Sequence, residues 1–201
     1  MAHTDIITLK EKNTMTTLKK PDARKFNSVT DYLAADNAYN TKRAEMGQSG
    51  GRAGHEAIDF LADILRQSHR GGLTREQMEK LSGAKYQSIA KSDGKNQASV
   101  FTRSGQERRF GNWGTARKFA LEALDLGIID KKGTVSTRAI AKDIRRVAQA
   151  NNTNVLELKR ADYLKMGRFT KSNIEKRFGG WTNAREQAFD MFVNHDWIDI
   201  R

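Results

Sequence analysis

The 201 residues contain no cysteine. That absence rules out a disulfide framework, a thiolate zinc site and a cysteine nucleophile, and it suits a reducing compartment. Long apolar runs are missing too: none approaches the roughly 18 residues of a membrane span, and the N-terminus lacks the apolar core of a secretory signal. The chain therefore reads as cytoplasmic, with no membrane partner. Acidic residues are in the minority, 24 Asp and Glu against 36 Lys and Arg, for a net charge of +12. Such a balance favours a polyanion, and nucleic acid over lipid, because no basic helix with a Trp and Phe face stands out.

What the chain does have is a 17-residue sentence written twice, 68 positions apart: FTRSGQERRFGNWGTAR at 101–117 and FTKSNIEKRFGGWTNAR at 169–185. A repeat of this kind is one supersecondary unit used twice, so its shared residues divide into a scaffold and a working surface. The working surface is basic. Residues 101–118 carry Arg103, Arg108, Arg109, Arg117 and Lys118 against Glu107, and residues 168–185 carry Arg168, Lys171, Lys176, Arg177 and Arg185 against Glu175.

Ahead of the repeat, residues 1–27 hold Lys10, Lys12, Lys19, Lys20, Arg24, Lys25 and the only proline, with too few large apolar residues for a core. They read as a flexible basic arm. Ser28 can cap a helix over about 29–46 with a thin stripe of Tyr32, Leu33 and Tyr39, and the Gly-rich stretch 47–54 reads as a linker. Ile58, Leu61, Ile64 and Leu65 mark an amphipathic helix that stops at Gly71 and Gly72. Segment 73–91 then has the outline of a helix-turn-helix about Gly83. In the second unit Ile140, Ile144 and Val147 form the leading helix, and Val155, Leu156, Leu158, Tyr163 and Leu164 replace the middle segment with fewer residues, so the first copy carries an insertion.

Within the repeated sentence, Ser104 with Glu107 and Ser172 with Glu175 fit the S-x-x-E capping box that opens a short helix. Gly111 and Gly179 end it, and a longer helix follows. Phe110, Trp113 and Ala116, like Phe178, Trp181 and Ala184, recur at intervals of three and are assigned to the wedge between the two helices. Base stacking is the alternative for the tryptophans. The remaining residues are the candidate DNA-binding set: Arg103, Gln106, Arg108, Arg109, Arg117 and Lys118 in the first copy, and Lys171, Asn173, Lys176, Arg177 and Arg185 in the second. On an exposed helix, Arg matches guanine edges, Asn or Gln matches adenine, and the other cations meet phosphate.

These residues carry a likeness. The unit resembles the homing-endonuclease-associated repeat, also called the HNH-associated repeat, through Ser172, Arg177, Phe178, Gly179, Trp181 and Ala184, preceded by Asp162 and Tyr163. The first copy matches over 101–126. The resemblance implies a small helical DNA-binding module, often appended to phage or mobile-element endonucleases. The nuclease itself is not recognisable: the four histidines, His3, His55, His69 and His195, have no paired spacing, and no G-I-Y motif occurs. A stretch from Gly127 to Gly133 faintly resembles the LAGLIDADG motif, but Lys132 stands where an acidic residue is needed; it and Trp197, Ile198 and Asp199 read as apolar tails closing each repeat.

The expectation is an all-α chain: two tandem small helical DNA-binding repeats, at 51–135 and 136–201, preceded by the arm at 1–27 and a helix with linker at 28–50. Its expected function is a sequence-preferring binder of double-stranded DNA, used as a phage or mobile-element transcriptional repressor, with no catalytic residue, metal or cofactor, and with homodimerisation left open. The alternatives are a nicking nuclease with an unrecognised site, and a replication or recruitment adaptor docking through 29–46 and 73–95.

Overall fold

A computed structural model describes residues 18–46, 56–92 and 101–193. Among them the fold is all-helical. Ten α-helices follow in order: α1 (Val29–Glu45), α2 (Ala57–Arg70), α3 (Arg75–Glu79), α4 (Gly83–Ser92), α5 (Arg103–Phe110), α6 (Trp113–Asp125), α7 (Thr137–Ala150), α8 (Arg160–Met166), α9 (Lys171–Phe178) and α10 (Trp181–Val193). The expected linker at 47–54 and the tail at 197–199 lie outside the described residues, as does the arm up to residue 17.

Each unit is built on a leading helix packed along a closing one, α2 along α6 and α7 along α10. Ile140, Ala141, Ile144, Val147 and Ala148 give α7 one apolar stripe at helical spacing, buried against α10. α2 is apolar on a second side as well, because Ile58, Ala62 and Leu65 are also buried. The chain after α6 packs near that side: Ile128, Ile129 and Val135 are buried, a lone bridge joins Ile129 to Val135, and Asp130 closes the turn by accepting from the N–H groups of Lys132 and Thr134, both at 2.8 Å. Gly133 sits there at φ +75°, with Ala62 O only 2.3 Å from where a Cβ would be. No side chain fits at that approach. The stretch that resembled LAGLIDADG is thus a turn between the units.

The two units correspond element by element, and the extra residues of the first can be placed. Asp63 precedes Leu81 by 18 residues and Asp143 precedes Leu158 by 15, while Tyr86 precedes Phe101 by 15 and Tyr163 precedes Phe169 by 6. The insertion is therefore split into three residues before the middle helix and nine after it, and most of the larger piece falls at 93–100, outside the described residues.

Two expectations need correcting here, at residues 18–27 and at Gly83. Residues 18–27 are not a free arm: Ala23 is 1% exposed in a short 3-10 turn capped by Asp22, and the Arg24 stem lies against Gly111. The helix expected at 29–46 is present as α1, and it packs on α6 and on α8 with Tyr32 fully buried. Gly83 is not a turn glycine but the first residue of α4, with the Ser82 hydroxyl accepting from Lys85 N–H at 3.2 Å. Leu156 is exposed, because Leu158 alone of that pair turns into the core.

Candidate nucleic-acid interface

α5 and α9 are short helices set by threonine. The Thr102 hydroxyl accepts from Gly105 N–H at 3.2 Å and the Thr170 hydroxyl from Asn173 N–H at 3.3 Å, so the caps lie two residues before the serines of the expected capping boxes. Ser104 and Ser172 are inside the helices, and Glu107 and Glu175 pair with Arg103 at 2.8 Å and Lys171 at 3.5 Å, one turn away. Gly111 at φ +83° and Gly179 at φ +74° end the two helices as expected.

Moving the cap by two residues changes which face looks inward. Gln106 is fully buried, donating from Nε2 to Phe60 O at 3.0 Å. Asn173 is 4% exposed and donates from Nδ2 to the Glu56 carboxylate. Gly105 and Ile174 are buried as well. Gln106 and Asn173 therefore cannot read bases in this conformation. Arg109 is also withdrawn: its side chain is 11% exposed, and its Nη2 is 2.5 Å from Asp36 Oδ2.

Arg117 and Arg185 have a structural task. The Leu81 carbonyl accepts from both Trp113 Nε1 at 2.7 Å and Arg117 Nη1 at 3.0 Å, and the Leu158 carbonyl accepts from Trp181 Nε1 at 3.2 Å and Arg185 Nη1 at 3.4 Å. Trp and Arg four residues apart share one helix face, which explains the repeated W-x-x-A-R. The tryptophans are core residues, Trp113 at 9% exposure and Trp181 half-buried against Tyr163.

Six of the eleven candidates remain exposed: Arg103, Arg108 and Lys118 in the first unit, and Lys171, Lys176 and Arg177 in the second. The two short helices that carry most of them are tied to one place. Phe60 O, which holds Gln106, and Glu56, which holds Thr170 and Asn173, are four residues apart at the start of α2, about 6 Å along a helix axis. The first turns of α2 thus anchor the backs of both basic helices.

Reading the sequence missed a second duplicated feature. Asp63 accepts from the Tyr86 hydroxyl at 2.6 Å and Asp143 from the Tyr163 hydroxyl at 2.9 Å, each beside an arginine three residues on, Arg66 and Arg146. Burial pushes the Asp63 carboxyl up, and the tyrosine hydrogen bond opposes it. The signal was legible as D-I-x-R at 63–66 and 143–146.

Burial also pushes the Glu56 carboxyl up to about 7; the Thr170 hydrogen bond and Lys176 oppose the rise, and Asp59 and Asp36 add to it. The ordinary glutamate value is about 4.3, so the folded state holds this proton more tightly than the unfolded chain does. The stability it contributes is complete below the ordinary value and is lost as pH rises through about 7. Urea unfolding at pH 5 and pH 8 is expected to show a fall in stability that Glu56→Gln removes; an equal fall in both proteins would exclude Glu56 as its source.

Among the described residues, no group of three or more His, Asp or Glu side chains is placed to hold a metal ion, and no helix is long and apolar enough to cross a membrane. Comparison with family models, curated proteins and solved structures finds no match to this chain.

Proposed function

We propose that this chain binds double-stranded DNA through the outer faces of α5 and α9, with a preference for sequence, and serves as a transcriptional regulator of the phage or mobile-element kind. One observation carries the reading. The repeated tryptophans, arginines 117 and 185, and the Asp–Tyr pairs each have a hydrogen-bond partner in the core, whereas the repeated cations Arg103 and Lys171, and Arg108 and Lys176, have no hydrogen bond or ion pair there, although the Lys176 charge acts on the Glu56 carboxyl. The hydrogen bonds and ion pairs they make among the described residues stay within their own short helices. Folding alone gives no reason to repeat them, while phosphate contact does.

Regulation is the use that suits a DNA binder without a recognisable nuclease motif. The exposed set is entirely Lys and Arg, so phosphate attraction supplies most of the affinity, and the cations nearest base edges supply preference. With six exposed cations neutralising phosphate, log K against log salt is expected to have a slope of about −5. Fluorescence anisotropy of a labelled duplex between 50 mM and 200 mM salt, on the order of the range where such slopes are measured, gives the value. A slope near zero, or tighter binding to single strands, counts against the reading. Footprinting on genomic fragments tests regulation, and protection confined to coding interiors would oppose it.

A further inference from the structure

α1 lies over one side of the first unit and also packs on α8, and at the matching positions of the second unit Arg177 and Gln187 are exposed. Its Tyr32 ring packs 5.6 Å from the centroids of both Phe110 and Phe119, and its hydroxyl donates to Arg109 O at 3.2 Å. One turn further along α1, Asp36 holds the Arg109 guanidinium. The 68-residue offset of the repeat places Phe178 at the position of Phe110, Gln187 at that of Phe119 and Arg177 at that of Arg109. Phe119 is fully buried, but Gln187 is exposed, so the second unit offers water a polar side chain where the first needs an apolar cover. Arg177 is exposed and has no carboxylate partner among the described residues. The short helices differ accordingly, with two cations beside one carboxylate on α5 (Arg103, Arg108, Glu107) and three beside one on α9 (Lys171, Lys176, Arg177, Glu175), while on the closing helices the exposed Lys118 of the first unit is matched by the exposed Glu186 of the second.

Resting on the duplex-binding reading above, we infer that the equivalent arginines of the two copies differ in role: Arg177 contacts DNA phosphate, and Asp36 on α1 keeps Arg109 out of the contacting set. An arginine in a buried ion pair cannot displace a counterion from phosphate without first breaking that pair, whereas an exposed one can. The copies thus share a scaffold but not a role.

The test uses the full chain. Arg177→Gln is expected to make the log–log salt slope shallower by about one. Replacing the buried pair together, Asp36→Leu with Arg109→Met, is expected to leave the slope unchanged while a cooperative melting transition persists. An unchanged slope for Arg177→Gln, or an equal loss in the folded double variant, overturns the inference. Should the double variant fail to fold, phenylglyoxal labelling of the unaltered protein decides: Arg177 is expected to react and to be protected by saturating duplex, with Arg109 slow in both conditions. Arg177 labelling that bound duplex does not slow, or an Arg109 as reactive as Arg177, overturns it. Absence of any salt-dependent duplex binding by the unaltered protein instead removes the DNA reading itself, with the labelling contrast between the arginines still measurable.

Discussion

Asp36→Ala is expected to destabilise the fold by about 3 to 5 kcal/mol, because it removes one member of a buried ion pair and leaves the other charge in place. Asp36 is 3% exposed at its side chain and Arg109 is 11% exposed, so the guanidinium has little water to turn to. Asp36 Oδ2 also accepts from Asn40 Nδ2 at 3.2 Å and faces Ala57 N–H at 3.4 Å, so α1 and the start of α2 lose a shared acceptor. The pair itself is imperfect. Asp36 Oδ1 and Arg109 Nε are both buried without a hydrogen-bond partner. For that reason Asp36→Leu with Arg109→Met is expected to recover most of the loss, since apolar residues of similar volume avoid the desolvation that the unmatched atoms do not repay. Urea unfolding of the single and double variants measures both steps. A single-variant loss below about 1 kcal/mol, the range of surface pairs, would mean that Arg109 finds water by moving.

Trp113→Ala is expected to cost about 3 to 5 kcal/mol, the range for deleting a large buried ring. The indole packs 4.9 Å from the Tyr86 ring and satisfies the Leu81 carbonyl, so its loss opens a cavity and weakens the join between the middle segment and α6. Trp181→Ala is expected to cost less, because that ring is only half-buried and its hydrogen bond is longer. Melting temperatures rank the two, and duplex binding by whichever variant remains folded separates structure from contact. A Trp181→Ala protein that keeps its melting temperature and loses binding would make the ring a base-stacking residue.

The all-helical fold could be read from spacing. Ile140, Ile144 and Val147 announce α7, and the paired glycines at 111 and 179 mark both helix ends, because a glycine after a helical run has few other uses. The orientation of the short helices could not. Eight residues that are mostly polar give no apolar period, and Gln106 and Asn173 occupy inward positions through hydrogen bonds to α2 and to Glu56, which only the tertiary arrangement supplies. Thr102 and Thr170 were repeated as faithfully as the serines after them, but a serine three residues before a glutamate satisfies the capping pattern on paper. The partner of Arg109 was hidden for a different reason. Asp36 lies 73 residues earlier, on a helix whose sequence shows little apolar stripe. The candidate interface was thus legible in its charge and only partly in its members.

The clamp at the end of each repeat closes on a main-chain carbonyl, the one hydrogen-bonding group that no substitution can delete. Trp113 and Arg117 need an oxygen at position 81, Trp181 needs one at 158, and Arg185 bonds the carbonyls of 156 and 158; neither pair depends on which side chain stands there for those bonds. A joint of this kind tolerates drift on one side only. The donors must stay Trp and Arg, and they are identical in the two copies, while the accepting segments differ in sequence and in the length of chain that leads into and out of them. After duplication, the middle segment was free to diverge and lengthen without unfastening the closing helix.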